Sequence, residues 1–112
     1  MSALYLKYDA KADCLRANVG PSLRGETVEV QQGKLVLSID RIRKLVASFE
    51  VADFRHFVSY QLLDELFGDQ VVREIAAFQS AVTATSDRSK EIQVPEPPSS
   101  SRRVVEELLR AA

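Results

Sequence analysis

The side chains that could carry out chemistry are few in this chain. His56 is the single histidine and Cys14 the single cysteine among 112 residues. A zinc or acid–base site would have to join His56 to Cys14, Asp64 or Glu65. Adjacent carboxylates point away from one another on a strand or a helix, so Asp64 and Glu65 do not suit a paired-carboxylate site. We therefore expect His56 to be a packed or surface side chain and Cys14 a small core residue.

The aspartates and glycines lie where turns are expected. Asp9, Asp13 and Asp40 flank predicted turns, where carboxylates commonly accept hydrogen bonds from nearby backbone N–H groups. Gly20 and Gly25 frame a loop, but no Lys-Ser or Lys-Thr follows it, as a phosphate-binding loop requires. The sequence therefore predicts no catalytic, cofactor-binding or metal-ligating residue, and an enzyme is the disfavoured class.

One group of residues could contact nucleic acid. This basic cluster consists of Arg41, Arg43, Lys44 and Arg55. The net charge of −1 offers no general attraction to phosphates. The neighbouring aromatic residues Phe54 and Phe57 fit a core better than a base-stacking surface. A nucleic-acid-binding regulator is therefore the alternative rather than the first hypothesis.

A second group, near the end of the sequence, could contact a protein. Residues 102–112 have helical periodicity, and their narrow apolar stripe consists of Val104, Val105, Leu108 and Leu109. A helix of about 11 residues is marginally stable alone, so it must dock. Three surfaces remain open: its own domain, a symmetry mate or another protein. We treat the stripe as the candidate partner-binding site.

The elements that must position these side chains begin with five short strands. Alternating apolar residues predict strands at about residues 3–8, 14–19, 26–31, 35–39 and 45–51. Residues 70–83 have apolar residues at helical spacing, with Asp69 as a cap. Residues 54–67 fit either a helix that begins after Asp53 and ends at Gly68, or a sixth strand over 56–62 followed by a short helix or turn. These patterns predict an α+β fold with an antiparallel meander of five or six strands and one packed helix.

Composition changes near residue 85. Residues 85–101 contain three of the chain's four prolines and no aromatic residue. Such a segment is typical of a flexible linker. The predicted organisation is a domain at 1–84, a linker at 85–101 and an amphipathic helix at 102–112, with a core that is complete by residue 83 and folds without the tail.

The segment from Tyr8 to Leu15 resembles the opening of an uncharacterised family of very small bacterial proteins, which begins with Tyr-Asp-x-x-Ala-Asp-x-Leu. Residues 26–30, Gly33, residues 35–40 and residues 49–51 are similar to later parts of that family. The resemblance covers about residues 4–52. It weakens at residues 14–16, where the family is more apolar, and ends after residue 53. It implies a fold but no catalytic residue, because the family has no established activity.

Composition limits the class of protein. The sequence has 46% hydrophobic and 28% charged residues and no apolar run near the ~20 residues of a membrane helix. Its beginning lacks the pattern of a signal peptide, and one cysteine suits a reducing cytoplasm. We expect a cytoplasmic, non-catalytic protein-binding module, such as a bacterial antitoxin or immunity protein. A homodimer is expected, because a small sheet has edges to cover.

Overall fold

The computed structural model describes residues 2–20, 26–95 and 97–111. Six antiparallel strands form one sheet, and helices pack on one of its faces. The strands are β1 (Ser2–Asp9), β2 (Cys14–Gly20), β3 (Thr27–Gln32), β4 (Leu35–Asp40), β5 (Leu45–Ala52) and β6 (Arg88–Val94). The helices are a 3₁₀ turn (Phe54–His56), α1 (Gln61–Phe67), α2 (Asp69–Ala81) and α3 (Ser101–Ala111). The predicted α+β class, with antiparallel strands and helix packing, is confirmed.

The sheet has the strand order β3-β4-β5-β2-β1-β6. The five predicted strands form two groups linked by tight turns, β1–β2 and β3–β4–β5, which meet where β2 pairs with β5. The predicted loop after Gly20 lies at residues 21–25, outside the described residues. Within the described residues, no helix is both long and apolar enough to cross a membrane.

Apolar and polar side chains alternate along the strands, and this alternation determines which face of each strand is buried. Leu4, Leu6 and Tyr8 of β1 are fully buried beneath the helices, whereas Tyr5 and Lys7 are exposed on the opposite face. Leu35, Leu37 and Ile39 of β4 likewise face the core, whereas Val36 alternates with them and is only partly buried. The core therefore lies between one face of the sheet and the helices, and the other face is open to solvent.

The predicted turn chemistry of two aspartates is confirmed. Asp9 Oδ1 accepts hydrogen bonds from the backbone N–H groups of Lys11 and Ala12, at 3.0 and 3.3 Å. Asp40 Oδ1 accepts from the N–H groups of Ile42 and Arg43, at 2.9 and 3.0 Å. These contacts hold the β1–β2 and β4–β5 turns in their bent conformations.

The ambiguous segment forms neither a continuous helix nor a strand. It contains the 3₁₀ turn, an extended stretch at residues 57–60 and then α1, which ends at Gly68 as predicted. Asp53 makes no side-chain cap and adopts a left-handed backbone conformation with φ 55°. The sixth strand predicted as one alternative over 56–62 is therefore wrong. The helix predicted at 70–83 is α2, in which Asp69 is the first helical residue rather than a side-chain cap.

The flexible linker predicted over 85–101 is wrong at residues 88–94, which form β6. β6 pairs with β1 along its whole length, from Ser2 opposite Val94 to Tyr8 opposite Arg88. Ile92 and Val94 are buried in the core. A core complete by residue 83 is therefore also wrong, and the division of the chain at residue 84 does not hold.

Helix α3 docks on its own chain. Val105 is 3% exposed and belongs to the core, while Val104, Leu108 and Leu109 are partly buried against it. α3 contacts α1, β3 and β5. Of the three docking surfaces left open by the sequence, this structure contains the intramolecular one. The interpretation of the whole stripe as a free partner-binding site is therefore wrong, since Val105 is inaccessible.

Candidate binding cleft

The basic cluster is divided between the two ends of the sheet. Arg41, Arg43 and Lys44 lie in the turn that precedes β5, whereas Arg55 follows the other end of that strand. A strand of the length of β5 spans about 23 Å at ~3.3 Å per residue. The single surface predicted for all four cations is therefore wrong.

Arg55 belongs instead to a hydrogen-bonded cluster with Asp13 and Tyr8. Asp13 Oδ1 accepts hydrogen bonds from the Tyr8 hydroxyl at 2.6 Å and from the Arg55 backbone N–H at 3.2 Å. The Arg55 Nε atom lies 3.5 Å from the same oxygen. This cluster joins β1, the β1–β2 turn and the 3₁₀ turn.

The environment of that cluster shifts two pKa values in opposite directions. Burial, followed by the hydrogen bond to Asp13, raises the pKa of Tyr8 from 10.0 to about 12. Burial would raise the pKa of Asp13, but the hydrogen bonds from Tyr8 and Arg55 and the charge of Arg55 outweigh it. The pKa of Asp13 therefore falls below its ordinary value of 3.8. The cluster thus favours a neutral tyrosine beside an ionised carboxylate.

His56 lies near two carboxylates that the sequence did not pair with it. His56 Nδ1 is 3.2 Å from Asp53 Oδ1. One ligand atom each from Asp13, Asp53 and His56 lies within 4.8 Å of the others. These three side chains could hold a metal ion, but the guanidinium of Arg55 already supplies positive charge beside Asp13. Cys14, Asp64 and Glu65, the partners that the sequence offered for a site at His56, are not members of this group.

Cys14 begins β2 opposite Ala52 and is half-buried. Burial and the nearby charge of Glu50 raise the pKa of its thiol. A raised pKa keeps the sulfur in its weakly nucleophilic protonated form. The prediction of Cys14 as a small core residue is wrong, because Cys14 is half-buried and lies outside the core.

A solvent-open cleft of about 550 Å³ lies beside His56. Its walls are the β3–β4 turn, residues 53–59, α1 and one residue of α3, Leu108. Phe57 and Leu62 contribute apolar surface, and Val58 at its edge is 83% exposed. Val58 extends the apolar lining of this concave surface, and contiguous apolar area in a concave surface is a candidate contact for a partner.

The charged residues of the cleft are mixed in sign. Lys34 contributes a cation, Asp53 and Glu65 contribute carboxylates, and His56 contributes an imidazole. Ser59 also lines the cleft, but among the described residues no hydrogen bond joins it to His56. A serine nucleophile needs a base in contact with its hydroxyl. The cleft therefore combines apolar side chains with polar and charged ones.

Gln79 holds one wall of the cleft in place, and the sequence analysis missed it. Its Nε2 donates to the backbone carbonyls of Phe54 and Phe57, at 2.6 and 2.7 Å. Its Oε1 accepts from the Tyr60 hydroxyl at 2.9 Å. The bond to Phe57 satisfies a carbonyl that lies outside any helix or strand, whereas the Phe54 carbonyl also accepts the Phe57 N–H at 3.1 Å within the 3₁₀ turn. In the sequence, the only indication of this role is the position of a glutamine beside the apolar stripe of α2.

Comparison with known protein families, curated proteins and solved structures found no match to this chain. The resemblance of residues 4–52 to the small bacterial family stays a prediction.

Proposed function

We propose that this protein is a non-catalytic module that binds another protein in the cytoplasm, as a small bacterial regulator of the antitoxin or immunity-protein type. The observation that carries the proposal is the exposure of Val58, 83% open to solvent at the edge of an apolar cleft. Covering such a side chain contributes about 1.5–3 kcal/mol to association.

Helix α3 contributes a residue to the same proposed binding surface, the cleft. Leu108 lines the cleft and is only partly buried by its own chain. A partner could therefore extend the contact from Val58 across Leu108 without displacing α3. The proposed binding surface combines the cleft with this exposed part of the helix, while Val105 anchors the helix below.

The alternative function, nucleic-acid binding, loses support once the positions of the four cations are known. Arg55 is engaged with Asp13, and the remaining three cations lie at the far end of β5. Tyr5 is the one large aromatic side chain that is strongly exposed among the described residues. Base stacking beside the cations therefore has no aromatic group to use.

Self-association is a further part of the proposal. Strands β3 and β6 lie at the two edges of the sheet. Two copies could pair through an edge strand or through α2 around a twofold axis. Sedimentation over a wide range of concentrations tests this, and a monomer throughout would contradict it.

The cleft is tested by comparing partner capture by the wild-type protein with capture by Val58→Asp. Tyr5→Asp is the control, because Tyr5 is also exposed, at 48%, but lies on the open face of the sheet, away from the cleft. We expect a defined protein to be captured by the wild type and by Tyr5→Asp, and lost with Val58→Asp. Equal capture by all three, or capture of nothing specific, would count against the cleft.

A further inference from the structure

The β4–β5 turn, residues 41–45, forms a second surface with its own chemistry, which we call the basic turn. Arg41 and Arg43 are exposed and Lys44 is half-exposed. Within the described residues, none of the three forms an ion pair. By contrast, carboxylates do pair with Arg16, Arg55, Arg73 and Arg102.

The basic turn is held in one conformation before any partner arrives. The Asp40 side chain is 3% exposed and accepts the N–H groups of Ile42 and Arg43. The backbone N–H of Lys44 donates to the carbonyl of Asp40 at 2.9 Å, and Lys44 has φ 58°. A preformed turn loses little conformational entropy on binding.

Exposed apolar side chains lie beside the cations of the basic turn. Ile42 is 82% exposed and Leu45 is 48% exposed. Beside them lies a depression of about 280 Å³, lined by two cations and two aliphatic residues. These residues are Val28, Arg41, Lys44 and Leu109.

We propose that the basic turn binds an acidic segment of a partner protein. A carboxylate of that segment pairs with Arg41 and Lys44, and a neighbouring aliphatic side chain enters the depression against Val28 and Leu109. Two carboxylates are nearby: Asp40, and Glu26, whose backbone carbonyl accepts the Arg41 N–H at 3.5 Å. The three cations of the turn outnumber these two carboxylates, and Arg110 follows Leu109, so the net charge of this surface is positive.

An acidic protein segment fits better than the other polyanions. A phosphodiester chain offers charge but no aliphatic group for the depression. A bilayer could receive Ile42, but a flat surface would not fill the concave region behind it. A peptide with carboxylates beside aliphatic side chains supplies both kinds of contact.

The cations also lie near the last turn of α3, since Leu109 shares the depression. The carbonyl end of a helix is negative, so Arg41 and Lys44 could stabilise α3 through its dipole. The experiment must therefore separate partner binding from this intramolecular effect.

The test is a titration of the full-length, isotope-labelled protein with a capped synthetic peptide of glutamate and leucine, followed by NMR. We expect amide shifts confined to Val28, residues 41–45 and Leu109. Arg41→Glu combined with Lys44→Glu should weaken binding about tenfold or more, because each substitution replaces an attraction to the peptide carboxylates by a repulsion. The matched control Lys11→Glu, in the β1–β2 turn at the other end of the sheet, should bind as the wild type does.

A third variant keeps the proposal falsifiable if the double charge reversal disturbs α3. Ile42→Ser leaves every charge in place and should weaken peptide binding several-fold, with unchanged helical circular dichroism. Absence of peptide shifts, or shifts centred elsewhere, would overturn the proposal. So would stronger binding of a DNA duplex or of phosphatidylglycerol vesicles at the basic turn. Because this surface is separate from the cleft, loss of capture by Val58→Asp leaves it unaffected.

Discussion

Strand β6 should be required for stable folding, and Ile92→Ala is the sharpest test of that requirement. Ile92 is 1% exposed and lies opposite Leu4, which is fully buried. The substitution removes three carbon atoms, worth about 0.8 kcal/mol each in transfer free energy, and leaves a cavity. We expect the free energy of unfolding to fall by about 3–4 kcal/mol, against a total of roughly 6–17 kcal/mol for a chain of this size.

The matched control is Gln93→Ala in the same strand. Gln93 is exposed on the open face of the sheet, so its truncation should change stability by about 0.5 kcal/mol or less. Urea denaturation, followed by circular dichroism, measures both variants under identical conditions. Equal midpoints for the two variants would refute the assignment of β6 to the core.

Truncation after Thr85 extends the same test. It removes Ile92, Val94 and Val105, all of which are buried. Their transfer free energies sum to about 5–9 kcal/mol, which is comparable to the whole stability of a small domain. We expect the cooperative unfolding transition to disappear, and a shortened chain with a sharp transition would contradict the reasoning.

Three further predictions concern the polar clusters. The folded protein holds the pKa of Tyr8 at about 12 against 10.0, so the contribution of this group to stability is complete below pH 10 and is lost as the pH rises towards 12. Burial raises the pKa of Tyr60 to about 12 as well. Tyr8→Phe should therefore reduce, and not abolish, the alkaline loss in denaturation measured across pH, and should cost about 1–3 kcal/mol at neutral pH because Asp13 loses a donor. The lowered pKa of Asp13 contributes stability above its ordinary value of 3.8 that is lost as the pH falls below it. Asp13→Asn should therefore be less stable than the wild type at neutral pH and show a flatter acid limb, and parallel curves would contradict this. Gln79→Ala removes the donor to the Phe57 carbonyl and the acceptor of the Tyr60 hydroxyl, while the Phe54 carbonyl keeps the Phe57 N–H. It should cost about 1–3 kcal/mol in urea denaturation, whereas Ser80→Ala, on the exposed side of α2, should cost less than about 1 kcal/mol.

Local patterns predicted the first five strands because each strand buries one face. Leu4, Leu6 and Tyr8 alternate with exposed residues, and the turns between strands carry aspartate or glycine. Both signals come from neighbours in the sequence, so they could be recognised without knowledge of the partner strands. The order of the strands in the sheet could not be predicted in this way, because no pattern among neighbouring residues indicates that β2 pairs with β5.

Strand β6 was not predicted because Ile92 and Val94 are its only apolar residues and a proline-rich stretch follows them. An edge strand with one buried face needs few apolar residues, and the exposed remainder has the composition of a linker. The same limit applies to the cleft. Val58 and Gln79 belong to different elements, and only the fold brings those elements together.

The pairing of β1 with β6 has a consequence for synthesis on the ribosome. β1 is translated first, yet its second neighbour is made only after the intervening strands and helices. At translation rates of about 5–20 residues per second, one edge of β1 stays unpaired for roughly 5–20 s. Tyr5 and Lys7 lie on the face that remains open to solvent, but Leu4 and Leu6 expose apolar surface until the helices cover them. The nascent chain is therefore most prone to aggregation during this interval. Faster synthesis of the chain between β1 and β6 would shorten the interval.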